Sequence, residues 1–136
     1  MSSQKSTVAI GPARSYLLAF AGGALGTAAR ALVSGLLTNL IYLFVVNLLG
    51  SFFLGYINGS SAASKPRFAS AEKKWFWGAG FCGGFTTMSG LALAFVFLTG
   101  YEGVIPGLVY VLLQFAAGLF SYALGYRVGK GAWPSV

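Results

Sequence analysis

Polar residues along this chain are confined to short intervals, and between them the sequence stays apolar for long runs. A helix that crosses the hydrocarbon of a bilayer needs about 20 mainly apolar residues. Four segments reach that length, at residues 16–34, 39–60, 75–99 and 104–128. The turn at 35–39 is short, which predicts a tight antiparallel hairpin of the first two helices. Residues 61–74 form the one sizeable polar linker, interrupted by Pro66, and 100–103 is a short turn. The pattern predicts an all-α membrane protein with four transmembrane helices and a single domain over 1–136, without an internal repeat. The N-terminal MSSQKSTVAIGPARSY is polar and basic, and the apolar run after it carries Arg30 and lacks the small-residue cleavage site of a secretory signal. The first helix is therefore read as retained.

Composition supports the membrane reading: 57% of the 136 residues are hydrophobic and 8% are charged, too apolar for one small soluble core. Charge then sets orientation. Lys5 and Arg14 precede the first helix, Lys65, Arg67, Lys73 and Lys74 lie between the second and third, and Arg127 and Lys130 close the fourth. All fall on one side, against Glu102 alone on the other, so the positive-inside rule predicts a multi-pass cell-membrane protein with both termini cytoplasmic. The same charges attract anionic lipid. No basic patch with interleaved aromatics stands outside the bilayer, which excludes a nucleic-acid surface. The single Cys82 and the absence of histidine exclude an intrachain disulfide, structural zinc and histidine chemistry. No nucleophile with its base and no phosphate-binding loop is present, so the chain does not read as an enzyme. Trp75, Trp77, Tyr101 and Trp133 fall near helix ends, as an interfacial belt requires. Phe52, Phe53, Phe81 and Phe85 suit either helix packing or the lining of a path.

Four short helices leave an exporter, a channel or an assembly partner. A proton-coupled exporter of the small multidrug type needs a carboxylate within a helix, and here Glu72 and Glu102 both fall in predicted loops. The helices instead hold Arg30, Asn47, Thr86, Thr87, Ser89, Gln114 and Ser121, a set of hydrogen-bond donors and one fixed positive charge. Such a set suits an anion. Arg30 reads either as a vestibule charge that concentrates anions or as a side chain snorkelling to the interface. Asn47, among Val and Leu, needs a partner across a helix interface or in a wet cavity.

The stretch GFCGGFTTMS, residues 80–89, is unusual inside an apolar run. Glycine lowers helix preference by about 1 kcal/mol relative to alanine, so adjacent Gly83 and Gly84 predict a break near Gly83 to Thr87. A break frees carbonyls that need new partners, and a bound cation is one such partner. Hydroxyls of Thr86, Thr87 and Ser89 then face an aqueous path. The other reading is close packing by small residues, with Thr and Ser bonding back to the preceding turn.

Three stretches, GGALGTAAR (22–30), NLLGSFFLG (47–55) and GFCGGFTTMS (80–89), resemble in order and in helix position the signature stretches of the Fluc/CrcB fluoride channels. The resemblance spans nearly the whole chain. It implies passive export of fluoride by an antiparallel dimer of inverted subunits, with two narrow pores and a central structural sodium ion. By motif position, the backbone carbonyls of Gly83 and Thr86 would hold the sodium. Asn47 resembles the pore asparagine and Arg30 the vestibule arginine, while Tyr110 and Gln114 fall near the family's polar track on the fourth helix. Thr87, Met88, Ser89 and Leu91 fall on the pore stretch of the third. There the family pattern Phe-Ser-Thr-Phe is replaced by Met88, Ser89, Gly90 and Leu91, which removes two rings whose positive edges approach an anion. A homodimer of inverted subunits needs one chain to insert both ways, and the one-sided Lys/Arg distribution opposes that. Together these departures predict a heterodimer with a related chain of opposite topology. The alternative is a non-conducting or assembly subunit of a membrane complex.

Overall fold

The computed structural model describes residues 10–63, 68 and 70–131, and the four predicted membrane segments are four long apolar helices. Helix α1 covers Pro12–Leu36 and α2 covers Asn39–Ala62. Helix α3 occupies Ala71–Glu102 with an interruption at Thr86 and Thr87, and α4 covers Val104–Lys130. Pro12 opens α1 at a position whose missing N–H has no helical acceptor to lose. Gly103, with φ +97°, is the one residue between α3 and α4, and Gly131, with φ +78°, closes α4 in the left-handed region.

The helices overrun the predicted segments. Arg14 lies inside the first turn of α1, and Glu72 and Glu102, expected in loops, lie in the first and last turns of α3. Lys5, Lys65, Pro66, Arg67 and Trp133 fall outside the described residues. Arg14 Nη2 and Glu72 Oε1 pair at 2.7 Å, tying the start of α1 to the start of α3. The pair is well exposed, so it adds little stability, and it marks the starts of the two helices as lying at the same end of the bundle. With α2 and α4 antiparallel beside them, Arg14, Lys73, Lys74, Arg127 and Lys130 share one end of the bundle and Glu102 sits at the other.

Helix pairing departs from the predicted hairpin. Helix α1 packs mainly on the N-terminal part of α3 and touches α2 only lightly, while α2 packs along α4. Glycines decide the pairing. Gly22 and Gly26 of α1 lie against the Phe76 and Phe81 carbonyls, and Gly80 and Gly84 of α3 lie against Ala19 and Gly23. On the other side of the bundle, Gly55 and Gly59 of α2 meet the Tyr122 and Tyr126 carbonyls, and Gly125 and Gly129 of α4 meet those of Phe52 and Tyr56. Each couple is a G-x-x-x-G, whose two members share one helix face and let backbones touch. Lipid tails are as apolar as leucine, so this close packing, rather than apolar burial, holds the helices together.

The surface has the inverse pattern of a soluble protein. Leu17, Phe20, Leu32, Ile105, Leu119 and Phe120 face outward, while the buried core is limited to residues such as Leu43, Val46, Ile57, Phe85 and Leu91. An apolar exterior of that extent matches a lipid environment. Phe53 stands edge-on to Phe68, Trp77 and Phe81 with ring centroids 5.9–6.3 Å apart, and Phe81 stacks on Phe85 at 5.7 Å. Phe53, Phe81 and Phe85 are thus packing residues, and Trp77, expected in the interfacial belt, joins them. Trp75 and Tyr101 remain exposed near the two ends of α3. Residues Lys74–Cys82 wind as a π-helix in which Gly78, Gly80 and Cys82 are buried, Gly78 toward Leu54 of α2 and Gly80 toward Ala19 and Gly22 of α1.

A Cβ at Gly125 would fall on the Phe52 carbonyl, whereas one at Gly100 would meet open space. Gly125→Ala is expected to destabilise by about 1–3 kcal/mol through overpacking and to lower the melting temperature of the purified protein. Gly100→Ala is expected to leave it unchanged or raise it slightly, since alanine is preferred in a helix by up to about 1 kcal/mol. Equal melting temperatures would refute the glycine-packed contact.

Candidate functional site

The interruption of α3 is built by rerouted backbone hydrogen bonds. Thr86 and Thr87 are extended, with φ/ψ of −77°/163° and −147°/115°. In an unbroken helix the Thr87 N–H would reach Gly83 O and the Gly90 N–H would reach Thr86 O. Here the Thr87 N–H donates to Asn47 Oδ1 at 2.9 Å, and the Gly90 N–H donates to Thr87 Oγ1 at 3.0 Å. Thr87 thereby caps the segment Met88–Glu102. The Gly83, Gly84 and Thr86 carbonyls lose their helical donors, since the Thr87 and Gly90 N–H groups are engaged elsewhere and Met88 lies beyond the interruption. Helix α1 answers part of this: Thr27 Oγ1 donates to Gly84 O at 3.3 Å and Arg30 Nη1 to Thr86 O at 3.4 Å. Thr86 Oγ1 itself bonds back to Cys82 O at 2.9 Å.

From Asn47 a polar chain runs across to α4. Asn47 Nδ2 lies 3.4 Å from Thr87 O and 3.5 Å from Gln114 Oε1. Gln114 Nε2 donates to Tyr110 Oη at 2.9 Å, and Tyr110 Oη donates to Leu40 O at 2.8 Å. Gln114 and Thr87 are buried, at 3% and 7% exposure, and groups so placed need partners. Ser89 Oγ lies 3.2 Å from Thr87 Oγ1.

A half-open groove of about 530 Å³ lies beside this chain, between α2, α3 and α4. It is lined by Asn47, Gly83, Thr86, Thr87, Met88, Leu91 and Gln114. The remaining sequence-predicted residues reach it through one hydrogen bond each: Arg30 through Thr86, Ser89 through Thr87, and Tyr110 through Gln114. Met88 is 66% exposed at the open side and Leu91, at 5%, is part of the wall. A Cβ at Gly90 would fall 2.6 Å from Leu43 Cδ2, so the buried Leu43 takes the space that a larger residue there would need.

Sequence reasoning missed three polar residues of the site. Ser51 and Tyr122 also line the groove; they follow Asn47 by four residues and Gln114 by eight, so a 3.6-residue period places each on the same face. Thr27 lies inside the quoted GGALGTAAR and went unassigned. Ser121, counted among the intramembrane polar residues, donates to Leu48 O at 2.8 Å and ties α4 to α2.

The fold and site define a class: a small four-helix membrane protein whose broken third helix faces a groove with one polar wall. Residues 17–126 match the family model described as CrcB-like protein, Camphor Resistance (CrcB), and the chain belongs to that family. It is 38% identical over 121 residues to the fluoride-specific ion channel FluC 2 of Leifsonia xyli subsp. xyli, covering 85% of this chain and 83% of that protein. With the fluoride-specific ion channel FluC of Ruegeria pomeroyi it shares 35% over 122 residues, 88% of this chain and 93% of the relative. With FluC 2 of Rhodococcus jostii it shares 37% over 116 residues, 82% and 96% of the two chains. The family membership implied by the three stretches is thereby established.

Gln114→Leu removes both the acceptor facing Asn47 and the donor to Tyr110. It is expected to destabilise the fold by about 1–3 kcal/mol, the range for orphaned buried polar groups. Tyr110→Phe breaks the same Gln114–Tyr110 bond, so the double variant should lose less than the two single losses combined. Strict additivity in equilibrium unfolding would show that the two side chains act independently.

Proposed function

We propose that the chain is a subunit of a passive, fluoride-selective channel that lets fluoride leave the cytoplasm. The observation that carries this reading is the Asn47 amide. Its Nδ2 lies beside the groove and is held only by contacts of 3.4 and 3.5 Å, the weak edge of hydrogen bonding, so an anion can take it over. The hydroxyls of Thr87 and Ser89 are further donors, while Gln114, bound to Tyr110, orients the amide from α4. Fluoride holds its hydration tightly, and closely spaced donors must replace that water; Leu91 and the other apolar walls supply the narrowing. Arg30 adds a positive charge at the break. The fluoride-specific names of the relatives support the choice of ion.

Flow would follow the electrochemical gradient. The carboxylates of the chain are Glu72 and Glu102, both at ends of α3, so proton coupling through a carboxylate within the membrane has no candidate residue. With the basic end of the bundle in the cytoplasm, both termini lie there, and an inside-negative potential drives the anion outward.

The groove opens to one side, and a second, inverted subunit would close it. The partner in this reading is a related chain of opposite Lys/Arg bias, because one-sided charge fixes this chain in a single orientation. A second reading, a non-conducting or assembly subunit, is favoured by one observation: Met88 and Leu91 bring no aromatic ring edge to the groove.

A structural sodium ion at the dimer centre fits the residues present. The Gly83 and Thr86 carbonyls have both lost their helical amides, and the space on the Cβ side of Gly83 is open. Two carbonyls from each subunit would hold the ion. The ion would supply positive charge that joins the two breaks across the dimer. Arg30, already 3.4 Å from Thr86 O, weakens the claim of that carbonyl on a second cation, so Gly83 is the stronger ligand.

In liposomes the chain alone is expected to show no fluoride-selective efflux, with chloride as the control ion, and an oppositely biased relative is expected to restore it. Flux from the chain alone would sink the heterodimer; no flux with any partner would sink the channel. In the conducting assembly, Asn47→Ala is expected to cut fluoride flux at least tenfold, the equivalent of about 1.4 kcal/mol at the barrier. Replacing sodium by N-methylglucamine on both sides is expected to lower flux and melting temperature together; an assembly indifferent to sodium would remove the cation from the reading.

A further inference from the structure

We infer that Asn47 is also a positioning residue for the break: by taking the Thr87 N–H, its amide oxygen keeps the Gly83 carbonyl free to ligate a cation. The inference rests on the cation site proposed above and assigns to Asn47 a duty separate from donating to an anion.

The two halves of the Asn47 amide are bound very differently. Both meet the backbone of Thr87, but Oδ1 accepts the Thr87 N–H at 2.9 Å while Nδ2 stands 3.4 Å from Thr87 O. The oxygen side is a full hydrogen bond and the nitrogen side a loose one. The oxygen therefore grips the backbone and leaves the nitrogen available to the groove.

The grip matters because of what the Thr87 N–H would otherwise do. In a membrane an unpaired N–H costs several kcal/mol, so it must find an acceptor if Asn47 Oδ1 is removed. The acceptor that helical geometry offers is Gly83 O, four residues back. Taking it would extend the first part of α3 across the break and engage the carbonyl otherwise aimed at a cation. The second bond of the break, Gly90 N–H to Thr87 Oγ1 at 3.0 Å, does not involve Asn47 and would release Thr86 O in either case. Gly83 is thus the carbonyl under Asn47's control. One side chain on α2 then links the anion path to the cation site, its nitrogen serving the first and its oxygen the second.

The glycine pattern allows a direct test. Gly22–Gly23 and Gly83–Gly84 are the two Gly-Gly pairs in the sequence. Glycine labelled with ¹³C at the carbonyl and ¹⁵N therefore yields two carbonyl–nitrogen correlations in solid-state NMR of the assembled protein in bilayers. One reports the Gly83 carbonyl and the other is an internal reference. Exchanging N-methylglucamine for sodium is expected to move the Gly83 signal in the unaltered chain and in Asn47→Asp, which keeps an acceptor oxygen. In Asn47→Leu the signal is expected to lie elsewhere already without sodium and to stop responding to it. A signal in Asn47→Leu that keeps both the original position and the sodium response overturns the inference and leaves the cation site standing. If the unaltered chain ignores sodium, the cation reading fails, and the sodium-free position in Asn47→Leu alone decides the clamp: displaced supports it, unmoved overturns it. Should Asn47→Leu not assemble, Asn47→Ser, whose shorter side chain falls out of reach of Thr87, takes its place.

Discussion

Inside a bilayer no water is present to satisfy a peptide group, so every N–H and C=O released from a helix must be matched by something the protein supplies. The rest of this structure follows from how that demand is met at Thr86 and Thr87. Asn47 from α2 takes one N–H, the Thr87 side chain takes another, and Thr27 and Arg30 from α1 donate to two of the freed carbonyls. Helices α1 and α2 thus converge on one interruption of α3. The polar residues that looked scattered along the sequence are joined by the accounting of a single backbone break.

The glycine contacts make that convergence possible. A donor as short as the threonine hydroxyl reaches the α3 backbone only if α1 lies against it, and Gly22, Gly26, Gly80 and Gly84 bring the two helices into backbone contact on the approach to the break. The α2–α4 contact at Gly55, Gly59, Gly125 and Gly129 does the same for the opposite wall, where Asn47 must meet Gln114 and Tyr110. Packing and polar chemistry are therefore not separate layers here. A side chain added at either glycine seam would stretch hydrogen bonds several residues away.

The helices were legible because hydropathy over about 20 residues depends on no tertiary contact, and the break was legible because Gly83-Gly84 and the paired threonines weaken a helix locally. Helix pairing was misread. A short turn at 35–39 suggested that α1 and α2 pack together, yet sequence proximity sets only which ends are near, and the four-residue glycine spacing on α1 and α3 carried the information that decided the contact. Asn47 was singled out as polar in an apolar setting, but its partner lies 40 residues away on α3, and no local pattern encodes such a pairing. Arg30 shows the same limit: its sequence position left vestibule and interface both open, whereas its reach to Thr86 O depends on how closely α1 meets α3.

The departures at Met88, Gly90 and Leu91 belong to the same physical picture. Gly90 has no Cβ and Leu43 fills the space beside it, so α3 lies close to α2 at this point, with Leu91 buried and Met88 turned to the open groove. What the groove keeps is its backbone and amide chemistry: the break, the Asn47 amide and the Gln114–Tyr110 support. What Met88 and Leu91 do not bring is a ring edge; the aromatic side chains lining the groove are Phe115 and Tyr122 of α4. In the heterodimer proposed above the two subunits differ in sequence, so the two sides of the assembly can carry different linings. Under the heterodimer reading, charge asymmetry comes first and the altered lining is what it permits; a chain that inserted both ways would have to satisfy both sides of the pore with one set of residues.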